Sequence, residues 1–260
     1  MVTVYESLRD ALREQRPVVL ATVVEGPNIG AKLLVEPDAE PIGSLGNADL
    51  DRVVARDARG ELEAGLTSTR HYGVHGEARE SDVSVFIESF ALPPRMIIFG
   101  AVDFTAALAK VAKVLGYRVI VCDARAVFAT VQRFPMADEV VNDWPDRYLA
   151  KVGDELGPRD AVCVLTHDHK FDVPAIAAAV KTNVGYLGAM GSRRTHEGRV
   201  ERLREAGVSE MEIARVQSPI GLDLGARTPE ETAVSICAEI IGQRTGRRAL
   251  SLRDTAGPIH

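Results

Sequence analysis

"MIIFGAVDFTAALAKVAKVLGYRVIVCDAR", residues 96–125, decides the fold. An apolar run from Met96 ends at Gly100, helical spacing follows over 103–115, and a second apolar run, 117–123, closes on Asp123. Strand, glycine turn, helix and strand form the opening unit of a doubly wound nucleotide-binding sheet. A dinucleotide fold places Gly-x-Gly at that turn so that backbone N–H groups can approach a pyrophosphate. Here the turn reads Gly100-Ala101-Val102-Asp103. Val102 puts a branched side chain against the phosphate position, and Asp103 is expected to cap the helix and repel an anion. Gly100 and Ala101 keep the turn itself. Asp123 stands where an acidic residue would meet a ribose hydroxyl, and Arg125 could instead favour a 2′-phosphate.

The same rhythm runs on toward the C-terminus. Strands are expected at 139–142, 160–166 and 184–190, with helices at 145–156, 173–181 and 194–206. Short apolar strands alternating with helices predict a parallel sheet covered on both faces, a Rossmann-like doubly wound α/β domain over 95–245. Its last helix opens at Thr228-Pro229-Glu230-Glu231, where a cap residue, a first-turn proline and a Glu three residues after the Thr agree. Residues 246–260 read as a loosely held tail.

The first ninety residues follow another pattern. A helix is expected at 4–15, then short strands at 18–24, 31–36, 41–45, 66–74 and 83–90, with little further helix. Leu92-Pro93-Pro94-Arg95 is a stiff break. Residues 1–92 are therefore expected to form a smaller strand-rich α+β domain.

The 260 residues hold 31 Lys and Arg against 37 Asp and Glu, a net charge of −6, which disfavours a general nucleic-acid surface. No apolar run approaches the roughly 20 residues of a membrane span. Glu6, Asp10 and Glu14 make the N-terminal stretch unlike a secretory leader, so a cytoplasmic location is expected. Cys122, Cys163 and Cys237 each lie in apolar surroundings with no CxxC pair, and are read as small buried hydrophobes rather than redox or metal groups.

Three further stretches point to a ligand. "YLGAMGSRRTHEGRVERLREAG" (186–207) leaves a strand through Gly188 and Met190-Gly191, with Ser192 to cap the next helix and Arg193 and Arg194 in its first turn. Cations at a helix N-terminus oppose its dipole, so two of them there suggest a bound phosphate or other oxyanion. "LTHDHKFDVP" (165–174) sits at a strand end, where open α/β sheets bind ligands. His167, Asp168 and Lys170 are contact candidates there, and Asp172 is expected at the pocket rim or as a helix cap. Adjacent His and Asp in one loop lack the usual metal-ligand spacing, so no metal site is assigned. "SPIGLDLGARTPEE" (218–231) is a long connection whose Gly221 and Asp223 could close over a ligand. No catalytic set is recognised.

These motifs together resemble the XdhC/CoxI family, accessory proteins in the maturation of molybdenum hydroxylases such as xanthine and carbon monoxide dehydrogenase. "LTHDHKFDVPAI", "YLGAMGSRRTHEGRVERLREAG" and "SPIGLDLGARTPEETAVSICAEI" carry the likeness, with looser matches at "RPVVLATVV", "GAKLLVE" and "PIGSL". The resemblance implies a cofactor-insertion chaperone rather than a stand-alone catalyst. Such a factor binds molybdenum cofactor and hands it to an apo molybdenum hydroxylase, with a cysteine desulfurase as a further partner and a homodimer as its assembly. The sequence departs from the family pattern in three places. Glu25-Gly26-Pro27-Asn28-Ile29-Gly30 replaces a Gly-Ser-Ser-Pro-Arg-like loop, Asp49 stands at the position of a family cysteine, and Val102-Asp103 replaces Gly-His. A carboxylate is neither a soft metal ligand nor a persulfide acceptor, so cofactor handling by the first domain is expected to be altered or lost. Two other functions stay open: an NAD(P)-dependent oxidoreductase, and a scaffold that binds a hydroxylase without a ligand.

Overall fold

The computed structural model describes residues 3–256, and the last four residues of the expected tail lie outside them. The described residues form two compact units that divide between Leu92 and Pro93.

In the first unit the order is α1 (Val4–Arg13), β1 (Val18–Glu25), β2 (Lys32–Val35), β3 (Ile42–Ser44), α2 (Ala48–Ala64), β4 (Ser68–Tyr72) and β5 (Val83–Phe90). The strands form one antiparallel sheet, β3-β2-β1-β5-β4. Alternation sorts their side chains. Val19, Ala21 and Val23 of β1 face a core that includes α2, whereas Val18 and Leu20 turn toward α1.

The 17-residue α2 overturns the expectation of little helix here. Its buried stripe, Leu50, Val54, Ala58 and Leu62, repeats every four residues. The Asn47 side chain accepts from the N–H groups of Asp49 and Leu50 at one end, and Gly65 closes the other at φ +64. The stripe is hidden in the sequence because charged residues such as Asp51, Arg52, Arg56, Arg59 and Glu63 surround it.

The second unit runs β6 (Arg95–Phe99), α3 (Asp103–Val114), β7 (Arg118–Cys122), β8 (Glu139–Val141), α4 (Pro145–Val152), β9 (Ala161–Val164), α5 (His169–Ala179), β10 (Tyr186–Ala189), α6 (Arg193–Glu205), α7 (Glu210–Ile213), β11 (Val216–Gln217) and α8 (Pro229–Thr245). All strand pairs are parallel, in the order β11-β10-β9-β6-β7-β8. This is the Rossmann order, and it reverses between β6 and β9, the point at which such sheets open a ligand crevice at their carboxyl ends.

Both faces are covered. Met96 and Ile98 pack with Leu108 of α3 and Ile236 and Ile240 of α8; Ile97 and Phe99 pack with Leu149 of α4, Ile176 of α5 and Leu203 of α6. Each such buried side chain contributes about 1.5–3 kcal/mol, which is why unbroken apolar strands foretold this sheet. Thr228 and Glu231 form the expected reciprocal cap of α8, each accepting the other's N–H at 3.1 Å. The short α7 and β11 had no expectation attached to them.

Candidate functional site

The turn after β6 is closed by the protein's own carboxylate. Asp123 Oδ2 accepts the Ala101 N–H at 2.7 Å. The Arg125 guanidinium donates to both Asp123 oxygens, at 2.9 and 2.7 Å, and Asp123 is only 5% exposed. Burial alone would raise the Asp123 carboxyl, but hydrogen bonds from Arg125 and from two backbone N–H groups outweigh it and hold the pKa below the usual carboxylate range. Asp123 and Arg125, the residues expected to meet a cofactor, grip each other and the Gly100–Ala101 turn. Gly100 sits at φ +110, and a Cβ there would lie 2.9 Å from the Thr166 backbone nitrogen. Its glycine is required by the close approach of two strand ends.

Asp103 does not cap α3, contrary to expectation. Val102 is the N-cap residue and makes no side-chain cap bond. The Asp103 carboxylate is 92% exposed, 3.8 Å from Arg133.

The turn after β10 is built differently. Ser192 caps α6, its Oγ accepting the Thr195 N–H at 3.1 Å. Arg193 and Arg194 are exposed, and among the described residues neither has a hydrogen-bond or ion-pair partner. Underneath lies a residue the sequence reading passed over. Arg199 is 2% exposed and donates twice to Asp172 Oδ2, at 3.1 and 3.0 Å, to the Met190 carbonyl at 2.7 Å and to Ser218 Oγ at 3.1 Å. One guanidinium therefore ties α5, α6, the Gly191 turn and the segment after β11 together. Arg199 lies four residues before buried Leu203, so the i, i+4 stripe was the signal that could have found it.

Asp172 is accordingly no rim residue and no cap. It is 1% exposed, with Oδ1 buried and unpartnered. Asp168 caps α5 instead, accepting the Lys170 N–H at 3.0 Å, and the helix starts four residues before the expected 173. His167, Asp168 and Lys170 are exposed beside this cap. On α6, burial first and then the Arg199 charge push the His196 pKa below its ordinary value, and its Nδ1 is buried without a partner.

Two expected contact glycines serve packing. A Cβ on Gly188 would come within 2.5 Å of Ile220, so the protein's own side chain fills that space. Gly221 lies against Ser235 of α8, with its N–H donating to Glu239 Oε2 at 2.9 Å. Asp223 remains exposed on the same loop.

All three cysteines are buried. Burial pushes the thiols of Cys122 and Cys237 up to about 12 and about 11, and that of Cys163 well above its usual value. They are held protonated, as small apolar side chains. In the first unit Asp49 sits in the first turn of α2, 3.4 Å from Arg52. A cavity of about 420 Å³ lies against α2 and β4, lined by Arg56, Arg70, His71 and Arg79 among others, and Asp49 is not one of its lining residues.

The family description "XdhC Rossmann domain" matches residues 96–240, and "XdhC and CoxI family" matches 11–73. The chain belongs to the XdhC/CoxI family. It is 30% identical over 243 residues to "Uncharacterized protein YqeB" of Escherichia coli, covering 88% of this chain and 44% of that protein. It is 34% identical over 195 residues to a probable xanthine dehydrogenase subunit of Bacillus subtilis, covering 69% and 56%. A 99-residue match, 34% identical and covering 38% and 31%, is to "Molybdenum cofactor insertion chaperone PaoD" of E. coli. The chain thus spans about half the length of the first two relatives. A crystal structure of a xanthine dehydrogenase from Bacillus halodurans shares the fold, with TM-score 0.53 and 22% identity over 96% of this chain and 98% of that one. The family and the Rossmann-like architecture expected from the motifs are both borne out. The nicotinamide alternative is not favoured; each Asp123 oxygen already accepts two hydrogen bonds from within the chain. Among the described residues, no helix is long and apolar enough to cross a membrane.

Proposed function

We propose that this chain is a maturation factor for a molybdenum-containing hydroxylase. It holds molybdenum cofactor, as cargo, by the cofactor's phosphate at the N-terminus of α6, and delivers it to the apo-hydroxylase. The observation that supports this reading is the pair of unpartnered guanidinium groups, Arg193 and Arg194, in the first turn of α6. Their paired donors suit the oxygens of a phosphate, and the helix end adds partial positive charge. The Arg199–Asp172 pair beneath keeps the turn in place before the ligand arrives, which lowers the ordering cost of binding.

The donor set fits the phosphate end of the cofactor and not its metal end. No thiolate is on offer, since the three thiols are buried and protonated. The cargo itself supplies the molybdenum–dithiolene chemistry, with a cysteine desulfurase as sulfur source for the hydroxylase form. This chain's part is to bind, orient and release.

The test is titration of purified protein with molybdopterin, followed by pterin fluorescence. Wild type binds with unit stoichiometry, and Arg193→Ala with Arg194→Ala weakens binding by roughly tenfold or more while stability stays within about 0.5 kcal/mol. Failure of the wild type to bind any pterin overturns the reading. Unchanged affinity in the double variant removes the phosphate anchor.

A further inference from the structure

A group of rings and cations beyond the closed turn is used by neither the turn nor the arginine pair. Trp144 follows β8 as the N-cap residue of α4, and Phe171 lies in the first turn of α5. Their ring centroids are 5.1 Å apart, the planes tilted by 41°. The Lys170 ammonium sits 5.2 Å from the Trp144 centroid and 5.7 Å from that of Phe171. The Arg125 guanidinium lies 5.6 Å from the Phe171 centroid and 4.7 Å from that of Phe128. Trp144 and Phe171 are half-buried, whereas Phe128 and Lys170 are exposed. Arg125 is neutralised by Asp123, but Lys170 has no carboxylate partner among the described residues.

These residues come from the carboxyl ends of β7, β8 and β9, the edge at which doubly wound sheets take their ligands. Two rings packed at an angle under a lysine stem could serve only to cover the starts of α4 and α5. That role asks nothing of the ammonium, which could equally extend into water. Instead it rests over both rings, a placement that a flat electron-rich partner with a negative tail would exploit.

We propose that Trp144 and Phe171 form a stacking platform for the base of a nucleotide, with Lys170 meeting its phosphate. An exposed cation–ring contact is weak enough to yield, so the base takes the ring face while the flexible lysine swings to the phosphate. Arg125 stays on Asp123 and borders the base beside Phe128. Every base offers a π-face, so the platform tolerates base identity. The ribose and pyrophosphate contacts of a dinucleotide fold are not needed, which agrees with the closed Gly100 turn. The proposal does not rest on the cofactor reading, since Arg193 and Arg194 follow a different strand, β10.

Trp144 is the chain's one tryptophan, so its fluorescence, excited at the red edge of the indole band beyond nucleotide absorption, reports on this site. Cytidine and adenosine monophosphates quench it saturably at millimolar concentration or below, and inorganic phosphate does not. Phe171→Leu keeps the reporter and weakens binding about tenfold. Lys170→Ala removes the advantage of nucleotide over nucleoside. Arg193→Ala with Arg194→Ala leaves the quenching unchanged, so loss of pterin binding and loss of nucleotide binding are separately visible. Three outcomes overturn the proposal: no saturable quenching in folded wild-type protein, equal quenching by inorganic phosphate, or quenching that survives both the Phe171 and Lys170 substitutions intact.

Discussion

Two glycine turns leave the same edge of one parallel sheet, and their electrostatics are opposite. After β6, Asp123 reaches across from the neighbouring strand, takes the Ala101 N–H and is itself clamped by Arg125. After β10, Ser192 satisfies only the Thr195 N–H, and Arg193 and Arg194 lie exposed in the first turn of the helix with no anionic partner among the described residues. Both units supply open N–H groups and the positive end of a dipole, because every strand–turn–helix unit does. Whether the turn awaits a ligand or holds an internal substitute depends on one side chain arriving from elsewhere in the fold. The sequence already set the two turns apart through Val102 and Asp103, but the carboxylate that closes the first one is Asp123.

The largest effect is expected beneath the open turn. Arg199→Met strands the Asp172 carboxylate in the interior and should cost about 3–5 kcal/mol in denaturant unfolding. Asp172→Leu combined with Arg199→Met should recover most of that loss, because two apolar side chains leave no buried charge. If the double variant is no better than the single, the pair is not isolated in the way its geometry indicates.

The closed turn should respond less. Asp123→Asn keeps an acceptor for the Ala101 N–H but removes the ion pair with Arg125, for an expected loss of about 2 kcal/mol by thermal or chemical unfolding. Its carboxyl is depressed in the folded state, so its stabilisation is present above the ordinary carboxylate pKa and is lost as pH falls through the lower folded value. Wild type should therefore lose its advantage over Asp123→Asn in strong acid. A stability difference that does not change with pH would contradict the assigned charge.

The smallest effect belongs to His196. Burial and the Arg199 charge lower its pKa from 6.5, so the unfolded chain takes up the proton first as pH falls below that value. Stability then falls between about pH 6.5 and the lower folded pKa. His196→Asn should flatten this part of the stability profile relative to wild type. Equal slopes in the two proteins would mean that the imidazole titrates freely.

Much of the second unit was legible in its spacing. Four-to-seven-residue apolar runs, each followed by a glycine or a polar turn and then a helix, leave few arrangements that cover both faces of a parallel sheet. The cap at Thr228 was equally plain, since a capping box is a local bond between residues three apart. Where reading failed, one residue type had two uses. Asp172 looked like a cap because it precedes Val173-Pro174, yet Asp168 takes that role and Asp172 turns inward. The α2 stripe was present in the spacing of Leu50, Val54, Ala58 and Leu62, but the charges around it masked a signal that was local and available.

Periodicity and family motifs were enough to dictate a Rossmann-like sheet and most of the strand–helix alternation that builds it, α7 and β11 excepted. They could do so because backbone geometry and apolar burial act over a few residues at a time. Partnership among charges was decided by folding alone. Asp123 meets Ala101 across 22 positions, and Asp172 meets Arg199 across 27. A charge far along the chain becomes near only once the sheet has assembled, and its distance then determines whether a carboxylate or guanidinium is consumed internally or left for a guest.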